Sequence, residues 1–347
     1  MAGRPPEDVV PAFLEDVKAG IPNVDLCAKY HKASSTIKEW RQFLGVPSRP
    51  KLVFEDRVQL PNAEDIEKTI AWLNDNGNLF RARYAEQNIL NVRIEDDLPI
   101  GVAFLGDTHY GAEGVDYQRL HADLKALAAT DGLWFQGTGD YLHNPKVNAA
   151  DKSNLYRMAI SNKDSALEIF KHIITPFKGR TISLLTGCHD SRDKEEGGDY
   201  TSELCAHLDC ANLWYGGLVR LTVGKQLYEL VVRHKYKGES GMNRTNAHRK
   251  MYDNLYPGDI IVLAHLHNNE LEETTRGEIM GKNVIYLRSS SYMDHDEFGQ
   301  KVGGFSSVPG VPIVILWPGS KRMLPFSGLH MVDAMAYLTY LRQQALN

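Results

Sequence analysis

The feature that most constrains this chain is a recurrence. Five short apolar runs, Ile100 to Leu105, Leu133 to Phe135, Thr181 to Leu185, Leu227 to Val232 and Ile260 to Leu263, each end in side chains that can bind metals. The runs alternate with helical stretches, the texture of a layered α/β domain. In such sheets, ligands gather beyond the carboxyl ends of the strands. Gly106-Asp107-Thr108-His109 follows the first run, and Gly139-Asp140-Tyr141-Leu142-His143 the second. Gly187-Cys188-His189-Asp190 follows the third, His234 the fourth, and Ala264-His265-Leu266-His267 the fifth. Six of the 13 histidines therefore stand in five places. Asp-x-His and His-x-His put alternate side chains of an extended segment on one side. Carboxylates mixed with imidazoles suit divalent cations such as Mn²⁺, Fe²⁺ or Zn²⁺.

Composition narrows the alternatives. The chain has 347 residues, 43% of them hydrophobic, enough for a sizeable core and a prior of about two domains. A formal charge of −5 excludes a globally basic nucleic-acid coat but not a local basic patch. No apolar run reaches the ~18 residues of a membrane span, and the first residues lack a signal-peptide core, so no membrane partner is expected. Cys27, Cys188, Cys205 and Cys210 show no CxxC spacing, which fits a reduced cytoplasm. Cys205 and Cys210 read as buried apolar residues, and Asp294-His295-Asp296 as a loop.

Residues 1–50 read as three short helices. The first runs from Glu7 to Ala19, with apolar Val9, Val10, Phe13, Leu14 and Val17. The second runs from Val24 to Tyr30. The third starts at Ser34 or Ser35 and carries Ile37, Trp40, Phe43 and Leu44 on one face. The tight turn before the third suggests a helix-turn-helix. Its outward face would offer Ser35, Lys38, Glu39, Arg41 and Gln42 to DNA, with Arg4 as a minor-groove arm. The alternative is a small docking module, because seven Lys/Arg against six Asp/Glu leave this segment almost uncharged. Residues 51–98 read as a helical connector, 99–320 as the chemistry-bearing domain, and 321–347 as a tail with a C-terminal helix.

Taken together, the ordered motifs resemble those of the calcineurin-like metallophosphoesterase superfamily, whose pattern is DxH, GDxx, GNH[DE], H and GHxH. The match covers roughly residues 100–320. The resemblance implies a four-layer α/β/β/α sandwich preceded here by the helical N-terminal domain. It also implies two divalent metal ions, Mn²⁺ foremost, with Zn²⁺, Fe²⁺ or Mg²⁺ as alternatives. Asp107, His109 and His267 would hold the first metal, Asp140 would bridge, and His234 and His265 would hold the second. His189 would contact the phosphate and act as general acid while a metal-bound hydroxide attacks, with Asp190 orienting the His189 ring.

Cys188 departs from the pattern, which has Asn there as a ligand of the second metal. It could ligate a softer metal, weaken the second site, or inactivate it. Ala264 in place of the GHxH glycine is a small change. Leu142-His143-Asn144 lacks the Asp-Arg-Gly of the protein phosphatases in this superfamily. The GDxxH form of the second motif resembles the double-strand-break repair nuclease branch, which would put His143 beside the scissile phosphate. Arg192 could hold a phosphate oxygen. A basic stretch with Lys235 and Lys237, continuing through Asn243, Arg244, His248, Arg249 and Lys250, suits a polyanion at the cleft or forms a solvated face.

This stretch and the N-terminal helices also resemble phage-encoded members, implying a bacterial or phage-infected cell. The leading expectation is a DNA nuclease. A nucleotide or cyclic-nucleotide phosphoesterase is the second, and a non-catalytic DNA-binding or scaffold protein on a decayed fold the third. Relatives often form homo-oligomers, and the C-terminal helix offers an interface.

Overall fold

The computed structural model describes residues 5–6, 8–18, 23–44, 52–54, 67–72, 74, 89–144, 158–160, 162–195, 198–240, 243–276, 281–293 and 308–346. Chain contacts divide it into two compact units, Met1–Lys51 and Leu52–Asn347.

The first unit holds helices α1 (Val10–Lys18), α2 (Asn23–Tyr30) and α3 (Ser34–Phe43). Phe13, Leu26, Ile37 and Trp40 form its buried centre, with the Phe13, Tyr30 and Trp40 rings edge to face. Lys29 adds a 2.6 Å ion pair to Asp16. Two expectations for α3 are corrected. Arg41 is buried, at 3% exposure, so it does not lie on an outward DNA-facing surface. It stands four residues after Ile37, which places it on the core-facing stripe. Phe43, expected in the core, is 52% exposed. The backbone at Ser35, Lys38 and Gln42 is helical, but their side chains lie outside the described residues, as does Arg4.

The second unit is a sandwich of two sheets flanked by helices. The small sheet has the order β13-β12-β3-β4-β5-β6 and the large one β1-β2-β7-β8-β9-β11-β10. The small sheet contains β3 (Ile100–Gly106), β4 (Leu133–Gly139), β5 (Thr181–Leu184), β6 (Ala211–Asn212), β12 (Ile313–Leu316) and β13 (Met323–Phe326). Strands β3 to β6 are parallel, and β12 and β13 add antiparallel at one edge. The large sheet contains β1 (Leu52–Phe54), β2 (Ile89–Ile94), β7 (Gly216–Val223), β8 (Gln226–Arg233), β9 (Ile260–Leu263), β10 (Glu270–Arg276) and β11 (Lys282–Arg288). Here β9 runs parallel to both β8 and β11.

The five apolar runs lie in or at the ends of β3, β4, β5, β8 and β9. Their continuity follows from burial on both faces. Ile100, Val102 and Phe104 of β3, with Trp134 of β4, face the large sheet. They meet Tyr228, Leu230 and Val232 of β8, Ile260 and Val262 of β9, and Ile285 and Leu287 of β11. The alternate residues Ala103, Leu105, Leu133 and Phe135 face outward. There they pack under α4 (Tyr117–Ala129), α5 (Lys163–Ile174), α7 (Tyr200–Leu208) and α9 (Met331–Leu346). On the large sheet, Val231, Ile261, Leu263 and Tyr286 pack under α8 (Asn246–Asn254). The result is the expected α/β/β/α layering. The remaining helix, α6 (Cys188–Glu195), starts where β5 ends and belongs to the site.

Residues 51–98 were expected to be helical. Residues 67–72 are, but β1 and β2 join the large sheet instead. Val92 and Ile94 alternate into the central core, a period of two that a helix cannot give. Cys205 and Cys210 are buried in the outer core, and Asp294-His295-Asp296 lies outside the described residues. Among the described residues, no helix is long and apolar enough to cross a membrane.

Candidate metal centre

The ends of β3, β4, β5, β8 and β9 converge on one cluster. Four overlapping groups of donors form there. They are Asp107, His109 and His267; Asp107, Asp140 and His234; Cys188, His234 and His265; and His109, His143 and His189. Within each group, the ligand atoms lie within 4.8 Å of one another. All seven residues expected to bind metal are therefore brought together, with His143 and His189 beside them.

The backbone at these positions is unusual. Asp107, His109, Asp140, His265 and His267 have φ of 47°, 43°, 55°, 74° and 54°. This left-handed region disfavours residues with a Cβ by about 1–2 kcal/mol each. It lets a chain leaving a strand turn its side chain back over the strand end, and such strain gathers at functional sites. The loops also touch. A Cβ at Gly187 would lie 2.2 Å from Asp140 Oδ1, and one at Gly139, where φ is +96°, 2.8 Å from Gly187 Cα. Only glycine permits that approach.

Around the first group, His109 Nε2 and His267 Nε2 are 3.0 Å apart. Asp107 Oδ1 is 3.7 Å from His267 Nε2 and 4.0 Å from His109 Nε2. Two ring nitrogens that close repel unless a proton or a cation lies between them. Asp107 Oδ1 is buried without a hydrogen-bond partner, while Asp107 Oδ2 accepts the His265 backbone N–H at 2.9 Å.

Across the cluster, His234 Nε2 is 3.1 Å from Asp140 Oδ2, close enough for an ion pair but without hydrogen-bond geometry. His234 Nδ1 lies 2.9 Å from the Thr138 carbonyl. That oxygen can only accept, so Nδ1 keeps its proton and Nε2, turned towards Asp140, is the nitrogen that would bind a metal in exchange for a proton. The donor chemistry and the unpartnered buried atoms fit cations at these positions.

The electrostatics agree. Burial works against charge on Asp140, yet His234 and the other imidazoles hold its pKa well below the ordinary value. Burial likewise opposes charge on His234, but Asp140, helped by Cys188, raises its pKa well above normal. Burial raises that of Asp107 against the pull of His267 and His234. It lowers His109 well below the normal value and brings His189 and His265 to about 3, leaving them neutral donors.

Asp190 is corrected. Its carboxylate does not orient the His189 ring. Instead Oδ2 accepts the backbone N–H of Asp140 at 2.7 Å and of Gly187 at 2.8 Å, and Oδ1 that of Tyr141 at 3.2 Å. In the first turn of α6 it clamps the two touching loops together. Burial and the nearby Asp140 push its pKa up to about 7 against those N–H groups. His189 Nδ1 instead accepts the Asn144 N–H at 3.3 Å, with Arg192 Nη1 3.4 Å away. Arg192 Nη1 also donates to the Asn144 carbonyl at 2.6 Å. Hence the neutral His189 ring carries its proton on Nε2. The His143 ring lies 5.2 Å from that of His189 and 5.9 Å from that of His109.

The basic stretch after β8 separates. Lys235 and Lys237 are exposed, and Arg233 stacks over Tyr236. His248 is instead fully buried, with Nε2 3.0 Å from the Leu287 carbonyl, and Arg249 pairs with Glu272. The buried His248 is therefore not part of an exposed basic face.

Arg288 carries no sequence motif and was missed. It is fully buried at the end of β11. It donates to Glu270 at 2.9 Å, to Glu239 at 3.3 Å and to the carbonyl of Ala264, immediately before His265. It therefore fixes the loop that carries His265 and His267. Only its place at a strand end could have pointed to it.

No protein-family model matches the sequence, and no curated protein does. Several solved structures are similar to part of the chain, at low identity and low TM-score. Zinc-complexed Vps29 of Entamoeba histolytica is 13% identical, over 66% of this chain and 99% of that one, with a TM-score of 0.35. Nuclease MPE of Pseudomonas putida is 15% identical, over 65% and 87%, with a TM-score of 0.29. The calcineurin-like phosphoesterase YfkN of Bacillus subtilis is 10% identical, over 71% and 100%, with a TM-score of 0.35.

Two outcomes follow. Arg288→Ala would leave the buried Glu270 without its cation and with only the Asn268 amide at 3.0 Å, so denaturant unfolding should show a loss of about 3–5 kcal/mol. The metal-free chain should also lose stability as pH falls from about 6.5 towards 3. Four buried histidines, His109, His189, His248 and His265, stay neutral in the fold but take up protons when unfolded. Asp140, with its lowered pKa, acts in the same sense, while Asp190, Asp107 and His234, whose raised pKa values act in the opposite sense, are fewer. A denaturation midpoint lower at pH 5 than at pH 7 is expected.

Proposed function

We propose that this chain is a metal-dependent phosphoesterase that hydrolyses phosphodiesters, with DNA as its substrate. The observation that carries this reading is the single cluster in which Asp107 and Asp140 face His109, His234, His265 and His267. Two cations would be held there, one by Asp107, His109 and His267 and one by Cys188, His234 and His265, with Asp140 between. Bound divalent cations would supply Lewis-acid stabilisation of charge on the phosphoryl oxygens and lower the pKa of an attacking water.

The protein's own part is placement and proton supply. His189 offers an Nε2–H to a phosphate oxygen. A phosphodiester brings negative charge, which favours the protonated ring, so His189 can pass a proton to the departing sugar oxygen. In the neutral ring the Asn144 N–H holds the Nδ1 edge; protonation there gives up that bond and is opposed by Arg192, so the charge of the bound phosphate has to outweigh both. Asp190 keeps the two loops in register through their amides. Lys235 and Lys237, exposed just beyond His234, supply positive charge for a strand of phosphates. The N-terminal unit is proposed as the DNA-recruiting module, without a contribution from Arg41.

The test is cleavage of end-labelled single- and double-stranded DNA by the full chain in Mn²⁺. The expected result is cleavage that stops on chelation and falls on the order of 10²–10⁴-fold in His189→Ala. Cleavage of a small phosphodiester but not of DNA would overturn the substrate assignment. No hydrolysis of either would overturn the phosphoesterase reading.

A further inference from the structure

The two halves of the cluster differ in chemistry. One offers a carboxylate and two imidazoles, from Asp107, His109 and His267. The other offers a sulfur and two imidazoles, from Cys188, His234 and His265. A site with a carboxylate among its donors accepts Mn²⁺ and similar harder ions as well as Zn²⁺, whereas a thiolate with imidazoles disfavours Mn²⁺ and favours Zn²⁺.

Cys188 stands among possible metal donors and is only partly buried. It opens α6 directly after Gly187, whose lack of a side chain lets this loop close on Asp140. Its sulfur lies within 4.8 Å of ring nitrogens of both His234 and His265. The bond from His234 Nδ1 to the Thr138 carbonyl leaves Nε2 for the shared site. Donors about 2.0–2.3 Å from one cation lie at most about 4.6 Å apart, close to the 4.8 Å limit within which these three fall. Cys205 behaves differently, buried in the outer core with its Sγ 3.5 Å from the Ala211 carbonyl.

We infer that Cys188, His234 and His265 form a sulfur-bearing site selective for Zn²⁺, so that the loaded centre is mixed, with a harder cation such as Mn²⁺ at Asp107, His109 and His267. This rests on the metal-dependent reading above. On binding, the thiol proton is released to solvent and the sulfur binds as thiolate.

The test uses the full chain, stripped with chelator and then loaded. With Co²⁺, the expected result is a near-ultraviolet sulfur-to-cobalt charge-transfer band, absent from both Cys188→Asn and Cys188→Ser. After dialysis against one equivalent of Zn²⁺ with Mn²⁺ in large excess, metal analysis should give one of each per chain. In Cys188→Asn, the preference for Zn²⁺ over Mn²⁺ should fall by at least ~10-fold. Two bound cations without the band, or a Zn²⁺ preference unchanged in Cys188→Asn, would overturn the mixed centre and leave the phosphoesterase reading standing. Failure to bind any metal would overturn both.

Discussion

The structure depends on two buried carboxylates, Asp107 and Asp140, brought together at the ends of adjacent parallel strands. A buried carboxylate is costly unless it is paired or hydrogen-bonded. Here the surroundings are built around that cost. Backbone N–H groups of His265 and His189 reach Asp107 and Asp140, and a ring of imidazoles supplies neutral donors and, at His234, a positive charge. Left-handed backbone at five donors and glycine at the loop contact follow from the same demand. A sandwich with buried strands is rigid enough to hold such strain; a loop on the surface is not.

Much of this was legible in the sequence because strands buried on both faces read as continuous apolar runs. Ile100 to Leu105 and Ile260 to Leu263 could be placed for that reason, and the residues after them for chemical reasons. What was not legible depends on direction. Asp190 is adjacent to His189 in sequence, but in the first turn of a helix its side chain turns back to the amides of Asp140, Tyr141 and Gly187. Arg41 has the composition of a DNA contact and the periodicity of a core residue, and periodicity prevailed. Strand β2 is only six residues long and lies inside a segment of helical texture. Arg288 sits at the end of an ordinary strand and acquires its role only from the loop above it.

Cys188 joins the sequence reading to the chemistry. By sequence it could be a ligand, a weakened position or a lesion. The geometry puts its sulfur within 4.8 Å of the His234 and His265 ring nitrogens, among groups that could hold a cation. That arrangement argues for a working centre with altered metal preference over a decayed one.

The central claim is that this cluster is a two-cation centre built around Asp140. The most direct measurement is an anomalous diffraction map from crystals of the full chain grown with Mn²⁺ and Zn²⁺. The account predicts two peaks about 3.5–4 Å apart flanking the Asp140 carboxylate, one beside His109 and one beside His234. A map without cation density at Asp140, or with the ions elsewhere on the molecule, would contradict it.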